Sequence, residues 1–255
     1  MSVEFEVINQ VARVTLNRPE RLNAIDQSTF KQLNEIWSEI NQCDSVRCAI
    51  LTGTGRAFCA GADMKEEGPD GVQYWLQTKS YGFSGIACGG RLNVPLVAKV
   101  NGLALGGGFE TILGCDIVIA AESATFGLPE ARVGRLPLDG MIVLPRIVPR
   151  NLALGLMLTG GRISASEAAK WGIVNEVVPD DQLDRAVEKW VEDILSCAPL
   201  SLKAIKRYVF DTTGMEISEA RRHMSDALSA TLQSEDAREG VKAFQEKRLP
   251  VWKGQ

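Results

Sequence analysis

The sequence predicts an α/β fold with a helical C-terminal part. Short apolar, strand-like runs alternate with helix-like segments as far as about residue 180, and only helical patterns follow after that. Composition agrees: of 255 residues, 45% are hydrophobic and 24% charged, the balance of a globular chain with a sizeable core.

The elements read as follows. VEFEVINQVARVTLN alternates as two strands around a turn near Asn9 and Gln10. IDQSTFKQLNEIWSEINQC sets Phe30, Leu33, Trp37 and Ile40 on one helical face, with Asp26 or Ser28 as the N-cap. VRCAILTGTG is a short buried strand that ends in glycines, and a looser helical stretch is expected from about Gly68 to Arg91. LVAKVNGLAL is an apolar strand region that runs straight into three consecutive glycines, Gly106 to Gly108. A short helix near Gly108, a strand in CDIVIAA and a shorter one in ATFGLPE come next. VEKWVEDILSCA, SLKAIKRYVF, the EISEARRHMSDALSATL segment and SEDAREGVKAFQEKR are all helix-like. No linker, low-complexity segment or fixed-period repeat is visible.

Several function classes are disfavoured at once. A net charge of −4 gives no basic field for nucleic acid or an anionic membrane. No stretch approaches the roughly 18–20 uninterrupted apolar residues of a membrane span. MSVEFEVINQ lacks the basic lead-in and apolar core of a signal peptide, and VWKGQ carries no peroxisomal or lipidation signal. Six scattered cysteines without a C-x-x-C pair are expected to be reduced, mostly buried thiols of a cytoplasmic protein. His223 is the one histidine, so neither a metal site nor a Ser-His-Asp arrangement is expected. His223 itself is expected on a helix surface. Proton chemistry, if there is any, falls to carboxylates.

The glycine triplet in NGLALGGGFE is therefore informative. A P-loop needs Lys-Ser or Lys-Thr after its last glycine, and a dinucleotide fingerprint needs spaced glycines; neither is present. What remains is a strand, a tight glycine turn and a helix N-terminus. The first N–H groups of a helix lack intrahelical partners, and glycine lets another group approach them. A turn that merely lets a helix pack on a sheet would look the same. A second strand-to-turn segment, RAFCAGADMKEE, also exposes backbone, at Ala60 and Gly61. Two such turns, each aiming one N–H at a single oxygen, would make an oxyanion hole. Glu110 follows the triplet, and Glu130 in FGLPEARVG comes 20 residues later. A two-turn helix leads the chain away by roughly 10 Å. The strand from Asp116 to Ala120 returns it by roughly 16 Å, enough to bring Glu130 back to Glu110. Two carboxylates in a partly desolvated pocket can divide the roles of acid and base.

With these residues in view, the sequence resembles the enoyl-CoA hydratase/isomerase (crotonase) superfamily. The resemblance rests on LNRPERLNAI, AFCAGADMKE, NGLALGGGFE, CDIVIAAESATFGLPEARVG and LTGGRISASEAAKWGIVNEVV, with the tail SEDAREGVKAFQEKRLPVW in agreement. It implies a crotonase-type spiral of ββα units over residues 1–195 and a helical trimerisation region over 196–255, one continuous unit. It implies an acyl-CoA substrate, no dissociable cofactor, and a homotrimer or a hexamer built from two trimers. By motif position, the N–H groups of Ala62 and Gly107 would hold the thioester oxygen, and Glu110 and Glu130 would handle water and the α-proton of a hydratase. Ala60, Asp63, Met64 and Lys65 match a segment lining the CoA, Leu22 and Ala24 lie in the first motif, and Phe244 and Lys247 match C-terminal residues that reach a CoA site in relatives.

The run after Glu130 departs from the family pattern. Pro129 precedes that glutamate, and GRLPLDGMIVLPR keeps Pro137 and Gly140 but carries Leu138, Asp139 and Met141 where many hydratases have small residues. Bulk at Leu138 and Met141 should reshape the acyl pocket. Asp139 reads either as the N-cap of the following helix or as a third working acid, as in isomerising or dehalogenating relatives. The tail and GLPEARVG are similar to carnitinyl-CoA-dehydratase-like members. Hydration of a 2-enoyl-CoA, or its reverse, is the expected activity. An isomerase or hydrolase using Asp139, or a non-catalytic acyl-CoA-binding scaffold, is the alternative.

Overall fold

Val3–Ile8 (β1) and Val11–Leu16 (β2) pair antiparallel with Ile8 opposite Val11. The two residues between them, Asn9 and Gln10, both take positive φ, 50° and 70°, as a two-residue hairpin turn of this hand requires. Gln27–Gln42 (α1) follows, and Asp26 caps it: its carboxylate accepts from the Thr29 N–H and hydroxyl, both at 2.7 Å. Such a cap is worth about 1 kcal/mol. Leu33, Ile36, Trp37 and Ile40 form its buried stripe. The computed structural model describes residues 2–66 and 70–255; Met1, Glu67, Gly68 and Pro69 lie outside the described residues, and so does the expected start of the helical stretch at Gly68.

A long strand, a short strand and a helix then recur three times. Cys48–Gly53 (β3), Ala57–Cys59 (β4) and Gly71–Thr78 (α2) make the first turn. Leu96–Val100 (β5), Leu103–Leu105 (β6) and Gly107–Leu113 (α3) make the second. Ile117–Ala121 (β7), Thr125–Gly127 (β8) and, after a 3-10 turn at Glu130–Val133, Gly140–Ile147 (α4) make the third. The chain continues through Arg150–Thr159 (α5), Arg162–Ser164 (β9), Ala165–Lys170 (α6), Glu176–Val178 (β10) and Leu183–Ser196 (α7). Pro199–Thr212 (α8), Ile217–Ala220 (α9), Asp226–Gln233 (α10) and Glu235–Glu246 (α11) complete it.

The long strands form a six-stranded sheet in the order β1-β2-β3-β5-β7-β10, and the short ones a four-stranded sheet in the order β4-β6-β8-β9. Every pairing except β1 with β2 and β8 with β9 is parallel. The main core joins Leu16, Leu51, Phe58, Leu96, Phe109 and Phe126 with the buried face of α1. A second core lies where α7 sets Leu183, Val187, Val191 and Ile194 against Val11, Ile50, Val97 and Ile119. Covered strands of this kind read as continuous apolar runs rather than as alternation.

Several sequence expectations are corrected. LVAKVNGLAL is two strands, β5 and β6, because the chain passes from one sheet to the other at Asn101-Gly102; a Cβ on Gly102 would run into the Arg56 carbonyl. The strand expected at Asp116–Ala120 lies one residue later, since the Asp116 side chain instead accepts the Leu96 N–H at 2.7 Å. Among the described residues of the stretch to Arg91, only α2 is α-helical. His223 lies between α9 and α10 rather than on one helix: Ser225 starts a new helix by accepting from the Leu228 N–H. Ser28 does not cap α1. Among the thiols, Cys48 and Cys59 are buried, Cys43, Cys88 and Cys115 are half-buried and Cys197 is exposed. Among the described residues, no helix is long and apolar enough to cross a membrane.

Candidate active site

β6 delivers the chain to Gly106, whose N–H donates to the Gly127 carbonyl at 2.8 Å and whose φ of 54° turns it into α3. Each of the first two glycines is small for a separate reason. A Cβ on Gly106 would lie 2.7 Å from Glu130 Oε1, and one on Gly107 would lie 2.5 Å from Cζ of the Phe83 ring. Gly107 opens the helix, so its N–H has no intrahelical acceptor.

The second turn follows β4. Ile25 N–H donates to the Gly61 carbonyl at 2.8 Å and Asp63 N–H to the Ile25 carbonyl at 3.0 Å, which brackets Ala62. Among the described residues, neither the Ala62 nor the Gly107 N–H meets a protein acceptor. The two turns adjoin, because a Cβ on Gly61 would sit 3.2 Å from the Gly107 nitrogen. The loop before α1 braces this turn: the Leu22 carbonyl accepts from the Ala60 N–H at 3.0 Å, and Arg18 bridges Asp26 at 2.8 Å and Asp63 at 3.0 Å. Asp63 is thus an anchor of the turn. Ala24 is buried nearby, its carbonyl accepting from Arg18 at 2.7 Å.

Glu110 lies in the first turn of α3 and is only 5% exposed. Its Oε1 accepts from the Asp139 N–H at 3.0 Å and the Gly140 N–H at 2.8 Å. These donors favour the charged form, yet burial outweighs them, and with the charges of Asp139 and Glu130 it pushes the carboxyl up to about 8. Glu130 opens the 3-10 turn after Pro129, and its Oε2 is buried without a partner. Burial pushes its carboxyl upward too. The chain path from α3 through β7 and β8 does bring the two glutamates within electrostatic reach of each other, with Gly106 against Glu130 and Gly140 against Glu110.

Asp139 corrects an expectation. It stands at the N-cap position of α4, but its own side chain makes no cap hydrogen bond; Glu110 supplies the oxygen instead. The Asp139 carboxylate turns away, accepting from the Phe83 N–H at 2.7 Å and the Cys88 thiol at 3.3 Å. Leu138 beside it is half-buried.

Tyr74, Phe83 and Cys88 are site residues the sequence reading did not single out. The Tyr74 hydroxyl is buried without a partner. Burial, together with the charges of Asp139 and Glu110, keeps it protonated, so it is a donor. It sits in GVQYWLQT, where nothing local distinguishes it from its neighbours. Met64 and Lys65 are exposed at the outer side of the Ala62 turn. Phe244 is 85% exposed and Lys247 ends α11 in the left-handed region; among the described residues no hydrogen bond or ion pair ties either to the Ala62–Glu110 site.

Two unpartnered N–H groups on adjoining turns, with a buried and a half-buried carboxylate nearby, can hold a developing oxyanion while protons move at adjacent atoms. The family model for enoyl-CoA hydratase/isomerase matches residues 6–255. This chain belongs to that family. Among its curated relatives, (E)-benzylidenesuccinyl-CoA hydratase of Thauera aromatica is 38% identical over 256 residues, covering all of both chains. Carnitinyl-CoA dehydratase of Escherichia coli K12 is 38% identical over 254 residues, 96% of this chain and 95% of that one. The crystal structure of an enoyl-CoA hydratase from Bacillus anthracis superimposes with a TM-score of 0.92 at 33% identity over the full length of both. The enoyl-CoA hydratase/isomerase fold thus accounts for both sheets and the helical tail.

Proposed function

We propose that the protein adds water across the double bond of a 2-enoyl-CoA thioester, or removes it from the 3-hydroxyacyl-CoA. The observation that carries this reading is the placement of Glu110 and Glu130 beside the unpartnered Ala62 and Gly107 N–H groups. The two N–H groups donate to the thioester oxygen. The ionised carboxylate takes a proton from water as its oxygen bonds to C3, and the π electrons move to the C1–C2 bond and the held oxygen. The protonated carboxyl then gives its proton to C2. Burial, then the charges of Asp139 and Glu130, favours the protonated form of Glu110, and the roles of acid and base belong to the coupled pair. We assign Ala60, Met64 and Lys65, beside the Ala62 turn, to the CoA, and Leu138 and the Tyr74 hydroxyl to the acyl group.

The test is loss of the conjugated thioester absorbance with crotonyl-CoA and with bulkier, polar enoyl-CoAs. Glu130→Gln should lower kcat by about 10²-fold or more on whichever substrate turns over. Full activity in that variant, or no turnover across the whole panel, would sink the proposal. Proton chemistry on Asp139 has less support, because both its oxygens already accept protein hydrogen bonds.

The assembly we propose is a homotrimer or a pair of trimers. Ile205, Val209 and Phe210 on α8, with Phe244, Leu249 and Val251 in the tail, are all exposed apolar residues, of the kind that a subunit contact would cover. Light scattering at micromolar concentration should give three or six chain masses; a monomer would refute it. Six unpaired cysteines are in keeping with a reducing, cytoplasmic compartment.

A further inference from the structure

Asp139 does two things from one position. Its N–H, with that of Gly140, holds Glu110 Oε1. Its side chain points the other way, Oδ2 to the Phe83 N–H at 2.7 Å and Oδ1 to the Cys88 thiol at 3.3 Å. Gly82 makes this approach possible, since a Cβ there would lie 2.6 Å from both oxygens. The Phe83 ring in turn lies on Gly107, at the glycine turn that starts α3.

These contacts close a ring. It runs from the Gly107 turn along α3 to Glu110, across to the Asp139 backbone, through the Asp139 carboxylate to Phe83, and through the Phe83 ring back to Gly107. The two functional ends of the ring are a free N–H and a buried acid. We propose that Asp139 is a positioning residue: by pinning Phe83 against Gly107 it fixes the oxyanion donor relative to Glu110. The catalytic consequence rests on the hydratase reading above; the clamp itself does not.

The neighbouring anchors act on Ser84 and on the Phe83 carbonyl, which accepts from the Ser84 hydroxyl at 2.6 Å and the Ala87 N–H at 3.1 Å. Trp37 Nε1 donates to the Ser84 carbonyl at 2.8 Å, and the Ser84 hydroxyl pairs with the Thr111 hydroxyl at 2.8 Å. Both fix Ser84, which takes a φ of 54°. The Phe83 N–H has Asp139 alone.

The test uses the full-length protein with Asp139→Asn, Asp139→Ala and Phe83→Ala. Asparagine keeps an oxygen for the Phe83 N–H, whereas alanine does not. Amide exchange at Phe83 should speed up at least about ten-fold in Asp139→Ala and stay within about three-fold of wild type in Asp139→Asn. With a turned-over enoyl-CoA, Asp139→Ala and Phe83→Ala should each lose about 10²-fold in kcat with little change in KM, and their double variant should lose no more than either alone. Asp139→Asn should keep kcat within about ten-fold. Equal loss in Asn and Ala, with Phe83 exchange unchanged in both, would make Asp139 a proton carrier and overturn the proposal. If no enoyl-CoA turns over, the exchange result alone decides the clamp. If Asp139→Ala does not fold, the Asn variant and Phe83→Ala still decide it: kcat unmoved in Phe83→Ala, or lost in Asn with Phe83 still protected, overturns it.

Discussion

Glu110→Gln should lower kcat by about 10²–10⁴-fold and at the same time make the protein more stable at alkaline pH. Glutamine keeps an oxygen for the Asp139 and Gly140 N–H groups, so the helix cap survives while the proton chemistry does not. The stability effect follows from linkage. Burial, with the charges of Asp139 and Glu130, raises this carboxyl from 4.5 to about 8 in the folded chain. Between those values the folded protein holds a proton that the unfolded chain has released. Its stability therefore falls as pH rises through that window, and the contribution is complete only below the unfolded value. Glutamine does not titrate. Urea unfolding should find the two proteins alike near pH 4.5 and the variant ahead by about 4 kcal/mol at pH 9. Equal stability at both pH values would mean that Glu110 is not a buried, protonated acid. The wild-type rate should decline above pH 8 as the shared proton is lost, and the residual rate of the variant should lack that limb.

Much of this site was legible because its chemistry is local. Gly107 and Glu110 sit within one helical turn, and a helix N-terminus after a glycine turn is recognisable from spacing. Glu130 was reachable by adding the rise of a short helix to that of a short strand, and a one-residue error in the strand did no harm. Asp139 was not legible: its partners Phe83 and Cys88 lie 56 and 51 residues earlier, and no local pattern encodes a contact at that distance. Read locally, Asp before Gly at a helix start is a cap; in the fold, Glu110 has taken that task. Tyr74 was hidden for the same reason, since only its buried hydroxyl, near the charges of Asp139 and Glu110, distinguishes it from the exposed Trp75.

The fold was legible where elements are long. β9 and β10 have three residues each, too few for a period of two to show. The ββα repeat was legible through the family motifs but not as a fixed period, because the connections between its turns differ in length: an extended loop separates α2 from β5, whereas α3 passes to β7 within a few residues. His223 shows the converse error, a helical spacing that persists across a real break.

The other large effect is expected from Gly108→Ala. A Cβ there would lie 2.7 Å from the Cys59 carbonyl carbon, 2.9 Å from Cys59 Cβ and closer still to the carbonyl oxygen. The obstacle is the backbone of β4, in the buried core, and it has no rotamer with which to yield. α3 and β4 must separate, and overpacking that moves backbone costs about 3 kcal/mol or more. In a chain of this size that is a fall in Tm of about 6–12 °C. The same separation moves the Gly107 N–H away from the Ala62 turn that follows β4, and a displacement of about 1 Å between such donors costs roughly 10²-fold in rate. Gly155→Ala is the control: nothing lies within 4 Å of that Cβ in α5, so alanine should stabilise by about 0.5–1 kcal/mol and leave the rate alone. Thermal melts and crotonyl-CoA kinetics on the two variants separate the cases. A Gly108→Ala protein that melts with wild type would show that the glycines are not what lets helix and strand meet.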